Sequence, residues 1–117
     1  MLAYLRTGLM IATLMSLSLY GAAEAQSVTL GQFQRPKTAK DLETNKAYLV
    51  GAIDALLAYN AGRDDQLFCL PGPYPKLSFE QAGELIMRWA RKTSGSADLP
   101  VGRVLLYSLK DAYPCRH

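Results

Sequence analysis

The chain has 117 residues, 50% of them hydrophobic and 20% charged, with a formal net charge of +3. That length holds one domain, the apolar content excludes a disordered chain, and 9 Gly with 6 Pro exclude collagen-like or low-complexity material. The basic residues are scattered, with no run longer than Arg91-Lys92, which argues against a nucleic-acid partner.

Residues 1–25 read as an export signal. Arg6 closes a short n-region, Thr7 to Leu19 is uncharged, and Ala23-Glu24-Ala25 supplies small residues for cleavage after Ala25. A retained membrane anchor is the competing reading, but the uncharged run from Thr7 to Ala23 is 17 residues, at the short limit for a span. A lipoprotein would need a cysteine just past the cleavage point, and the first is Cys69. The expected mature protein is soluble, free of the membrane and periplasmic. Removing Arg6 and Glu24 leaves its charge at +3.

So short a chain buries a modest core and needs a staple or a second subunit. Cys69 and Cys115 form an even pair in an oxidising compartment and are read as a disulfide. Closing so long a loop stabilises by about 4 kcal/mol on the chain-entropy account.

Residues 26–37 are polar and irregular, interrupted by Gly31 and Pro36, and are expected to be a flexible leader before a helical domain over 38–117. Thr38 with Asp41 three residues on marks a helix start, and the helix runs to about Asn60 before Gly62. Leu42, Leu49, Val50, Ile53, Leu56 and Leu57 gather on its core-facing side. Ala47, Gly51, Ala55, Ala58 and Gly62 form a second stripe of small residues. Either another helix of the chain crosses there closely, or the stripe, through Ala47, Gly51, Ala55 and Ala58, is a homodimer seam. Asp54 beside it is either solvated near Glu43 or buried against Arg88 or Arg103.

Ser78 and Gln81 make a capping box for a second helix, with Phe79, Ala82, Leu85, Ile86, Trp89 and Ala90 on one face. Glu80, Glu84, Arg88, Arg91 and Lys92 fill the other, solvated face. Thr93 to Asp98 reads as a flexible loop. A third helix starts near Pro100 and turns Val101, Leu105, Leu106, Leu109 and Ala112 inward until Pro114 stops it. No period-two pattern persists, so the fold class is all-α: a small bundle of three to four helices stapled by one disulfide.

Between the first two helices, Pro71-Gly72-Pro73-Tyr74-Pro75 excludes regular structure. The bridge from Cys69 would pin this loop to the end of the third helix.

Chemistry is scarce. The single histidine, His117, is terminal, and Cys69, Cys115 and His117 are too few for a metal site and compete with oxidation. Lys92-Thr93-Ser94-Gly95 is superficially like the Lys-Thr-Gly element of penicillin-binding proteins, but no Ser-x-x-Lys accompanies it. No phosphate loop or dinucleotide fingerprint occurs. The reading is a non-enzyme without cofactor or metal that works by binding, with Asp64, Asp65, Phe68 and Tyr74 on the pinned loop as candidate contacts. For Phe68 and Tyr74 the alternative is that they merely cap the core.

The order Gly51-Ala52-Ile53-Asp54-Ala55-Leu56-Leu57, Phe68-Cys69-Leu70-Pro71, Leu85-Ile86-Met87-Arg88-Trp89 and Leu109-Lys110-Asp111-Ala112-Tyr113-Pro114-Cys115 resembles the Rap/Tai family of type VI secretion immunity proteins. The likeness covers about residues 42–115, and the Cys-x-Pro loop and closing Tyr-Pro-Cys are its most specific elements. The resemblance implies an exported helical protein that binds and blocks a peptidoglycan amidase effector in the periplasm, often as a homodimer. It implies that Cys69 and Cys115 are the family's disulfide and that the helix around Asp54 is its central one. A different class of function, a periplasmic stress or chaperone-like helical protein with an apolar client surface, is the alternative.

Overall fold

The computed structural model describes residues 27–116. The expected signal segment with its cleavage point, and His117, lie outside the described residues. Four helices follow in order: α1 over Leu30–Gln34, α2 over Ala39–Ala61, α3 over Phe79–Lys92 and α4 over Val101–Ala112. Among the described residues there is no strand beyond one isolated bridge between Thr29 and Pro100. None of the described helices is long and apolar enough to cross a membrane.

Local chemistry sets the helix starts. Thr38 Oγ1 accepts from the Asp41 amide at 3.1 Å, and Asp41 Oδ2 accepts in return from the Lys37 and Thr38 amides at 2.9 and 3.1 Å. These amides, the Lys37 bond first, hold the Asp41 carboxyl below its ordinary pKa. Ser78 and Gln81 form the same reciprocal box at α3. Pro100, with φ −58°, leads into α4, and Tyr113 closes it with its amide on Leu109 O.

The core is built from Leu49 and Ile53 of α2, Ala82, Leu85 and Ile86 of α3, and Val101, Val104, Leu105 and Leu109 of α4. Trp89 and Tyr107 join α3 to α4 with ring centroids 5.8 Å apart. Lys92 pairs with Asp111 at 3.1 Å in solvent. Ser108, buried on α4, satisfies its hydroxyl by donating to Val104 O at 2.7 Å.

Several sequence-based expectations need correction. The folded unit begins at Val28, not Thr38. Thr29 and Gln32 form a third capping box, and Val28 and Leu30 are buried. Main-chain bonds tie this segment to the α3–α4 connection: Leu30 N to Leu99 O at 2.8 Å, Gly31 N to Ala97 O at 2.9 Å, and Val101 N to Val28 O at 2.8 Å. The approach is close enough that a Cβ at Gly31 would lie 3.3 Å from Ala97 O. The connection itself, expected as a flexible loop, is braced by buried Ser96, which donates to Thr93 O at 3.2 Å.

Leu42 and Val50, placed on the core stripe by periodicity, are 57% and 41% exposed. Leu42 lies on the same side of α2 as Leu49 but about two turns nearer the helix start, and Val50 lies on the helix flank. Ala112 is likewise exposed at the end of α4. The small-residue stripe is not crossed by another described helix: Ala47, Gly51, Ala55 and Ala58 are exposed, and nothing lies within 4 Å of a Cβ built at Gly51. Helix contact occurs instead on the adjoining flank of α2, where Tyr48 and Ala52 meet the first turn of α4 at Gly102. Asp54 is exposed, as its solvated reading expects.

Candidate functional site: the bridged loop and the open side of α2

The irregular stretch after α2 is organised from its N-terminal side by one residue. Asn60 sits in line with Leu49 and Ile53 on the buried side of the helix. Its Oδ1 accepts from the Leu67 amide at 2.7 Å and the Phe68 amide at 3.4 Å, and its Nδ2 donates to Phe68 O at 2.8 Å. The carboxamide thus reproduces the donor and acceptor set that a neighbouring strand would offer, and lets an irregular main chain be buried without orphaned groups. Phe68 then drops into the core, 1% exposed.

The second fastening follows at once. The Cys69 amide donates to Tyr113 O at 2.8 Å, and the Cys69–Cys115 disulfide, with Cα atoms 5.0 Å apart, closes a loop with a sequence separation of 46. Both cysteines of the chain are therefore in the bridge. From this footing Pro71 to Lys76 stand in solvent. Gly72 turns the chain at φ +94°, a conformation that residues with a side chain rarely adopt, and Tyr74 at the tip is 86% exposed.

Of the candidate contact residues, Asp64, Asp65 and Tyr74 are on the surface. Phe68 is not. Its burial makes it the loop's anchor rather than a residue a partner can touch. Sequence reasoning missed Asn60, whose signal was an amide at a core position of an otherwise apolar stripe, just ahead of a proline-rich segment. It also missed how Arg63 is used. Its Nη1 donates to Tyr59 Oη at 2.6 Å, its guanidinium lies 5.1 Å from that ring's centroid, and its Nε donates to Asp65 O at 3.0 Å. The arginine closes the turn after α2 rather than facing outward as a free cation.

A groove of about 250 Å³ runs between the last turns of α2 and the proline-rich arm, lined by Leu57, Ala61, Leu70, Pro73 and others. On the adjoining side of α2, the exposed small residues lie between Val50 and Tyr59, a mostly apolar strip that the exposed carboxylate of Asp54 interrupts. Among the described residues no group of three or more His, Cys, Asp or Glu is placed to hold a metal ion. The arrangement offers a rigidly footed projection and an apolar helix side, which are means of contact.

No curated protein and no solved structure matches the chain significantly. The family model described as Rap1a immunity proteins matches residues 21–115, a span that takes in all four helices, the bridged loop and both cysteines. With that match over most of its length, and with the helical, disulfide-closed fold expected from the Rap/Tai resemblance, the chain belongs to the Rap1a immunity protein family.

Proposed function

We propose that this protein works in the periplasm, after removal of its signal segment, by binding and blocking a peptidoglycan amidase delivered by type VI secretion, without catalysis of its own. Membership of an immunity family supports an effector protein as its partner. The observation that carries the reading to a surface is the projecting turn: Tyr74 stands in solvent on a segment anchored by Phe68, Asn60 and the disulfide. A preformed projection loses little conformational entropy on contact, and an exposed tyrosine is a common anchor at interfaces.

The test is capture of an amidase by the exported protein, followed by Tyr74→Ala. We expect Kd to rise at least about tenfold, the scale of an interface hot spot, with Tm unchanged. Unchanged affinity removes the turn from the interface. Capture of no amidase, together with suppression of aggregation of unrelated unfolded clients, would replace the immunity role with the chaperone-like one.

The open side of α2 supports a second copy of the chain as a further partner, with Ala47, Gly51, Ala55 and Ala58 at the seam. Small residues allow two helices to approach closely, and Ala55→Leu would wedge them apart. Light scattering is expected to show a dimer for the parent and a monomer for this variant; the same oligomeric state for both rejects the seam.

A further inference from the structure

We infer that the outward ridge of α4, formed by Arg103, Tyr107 and Lys110, is a second contact surface, which docks a protein segment bearing aspartate or glutamate side chains. The three residues recur at i, i+4 and i+7 and are all exposed. They share one face of the helix, with the two cations about 10 Å apart along its axis and the tyrosine between them. Tyr107 is 40% exposed, and the ring of Trp89 on α3 braces it with centroids 5.8 Å apart. Tyrosine and arginine are the side chains enriched at interface hot spots, and a braced ring loses little freedom on contact.

Charge names the partner. The basic residues form no long run, but they are unevenly divided. In residues 27–87, Arg35, Lys37, Lys40, Lys46, Arg63 and Lys76 are outnumbered by seven carboxylates, whereas residues 88–116 hold Arg88, Arg91, Lys92, Arg103, Lys110 and Arg116 against Asp98 and Asp111 alone. The positive excess of the described chain therefore lies on α4, the end of α3 and the segments beside them. Asp111 is held by Lys92 at 3.1 Å, and among the described residues Arg103 and Lys110 pair with no carboxylate. Their charge is left to an incoming acid, which it attracts at a distance and holds on contact. The Arg103 guanidinium can meet a carboxylate with two parallel hydrogen bonds. Asp111, and Glu84 one turn before Arg88 on α3, interrupt the cations and would repel a continuous polyanion such as a nucleic acid or an anionic lipid surface. Separate carboxylates on a folded partner fit between them. The ridge and the bridged loop are different elements, so this surface and the amidase reading can fail separately.

The experiment is an NMR titration of the 15N-labelled protein with acetylated hexaglutamate amide and, separately, acetylated hexaglutamine amide. The expected result is saturable shifts from the acidic peptide alone, at the amides of Arg103, Tyr107 and Lys110 and at Trp89, the single indole of the chain. The Arg103→Gln, Lys110→Gln double variant should bind about fivefold more weakly or worse. Lys37→Gln with Lys40→Gln removes the same charge from the start of α2 and should change binding by less than about twofold. All four side chains are exposed, so unshifted core resonances should show both variants folded as the parent is. Equal weakening by the two double variants would reduce the effect to bulk charge and overturn the inference. So would equal shifts from both peptides, shifts centred elsewhere, no saturable shifts, or tighter binding of phosphatidylglycerol vesicles or a hexanucleotide than of the acidic peptide. The expected shifts in a protein that captures no amidase would keep the ridge and remove only the amidase; capture of an amidase without the shifts would do the reverse.

Discussion

Residues 27–34 and residues 63–77 are the two stretches whose sequences promise least regularity, and the molecule secures them by opposite means. The first is tied by main-chain bonds to Ala97, Leu99 and Val101, with Leu30 pushed into the core. The second is tied chiefly by side chains, the Asn60 amide, the Phe68 ring and the sulfur bridge, with one main-chain bond from Cys69 N to Tyr113 O beside the bridge. Main-chain bonding consumes the backbone of the segment it fixes and brings it into the body of the fold. Side-chain anchoring grips three points and leaves the backbone beyond them, Pro71 to Lys76, in solvent. The second means suits the contact surface proposed above, held still at its foot with its backbone left accessible.

The largest way to break this comparison is Phe68→Ala, which removes a fully buried ring and should cost about 3–5 kcal/mol, measured by urea denaturation. Leu30→Ala is the counterpart on the other side, expected at about 2–5 kcal/mol. Hydrogen exchange should then show faster exchange at Gly31 and Val101 while the Leu67 amide keeps more of its protection. If both sites accelerate together, the two regions are one cooperative unit and the contrast fails.

Asn60→Ala sharpens the contrast at lower cost. It leaves the Leu67 and Phe68 amides and Phe68 O without their partner, about 1–3 kcal/mol for buried groups so exposed to loss. Exchange at Leu67 should rise more than at Leu105, and an equal rise at both would mean that the residue supports the whole core rather than the loop. The smallest effect concerns Asp41, at the hinge between α1 and α2. Its carboxyl pKa is lowered in the folded protein, by the Lys37 amide first. The stabilisation is therefore present above the unfolded carboxylate value and is lost as pH falls through the lowered folded value. Asp41→Asn should be slightly less stable than the parent at pH 7, and the gap should close in acid. A gap that persists in strong acid would assign the effect to shape rather than charge.

Helix starts were legible because their determinants are local: Thr38 with Asp41, and Ser78 with Gln81, announce themselves within four residues. The disulfide was legible from the even cysteine count together with the expected, oxidising compartment. The N-terminal segment was not: Thr29 and Gln32 carry a capping box of the same kind, but the main-chain bonds that fasten the segment to the fold run across some 70 residues and leave no mark in the sequence. Leu42 and Val50 were assigned to the core because periodicity gives the direction of a side chain and not the length of the neighbour it faces. At the site, the acidic pair was readable as surface, whereas Tyr74 and Phe68 were open between surface and core, and the structure divides them, Tyr74 outward and Phe68 inward. Asn60 was hidden because a polar residue near the end of an apolar helix is equally consistent with a frayed last turn.

The bridge at Cys115 also has a practical side. Because it fastens Cys115 to Cys69, a polypeptide joined to the tail starts close to the foot of the bridged loop. A C-terminal affinity handle or fluorescent fusion would then stand beside the contact surface proposed above, and an untagged chain is the fairer bait for a partner.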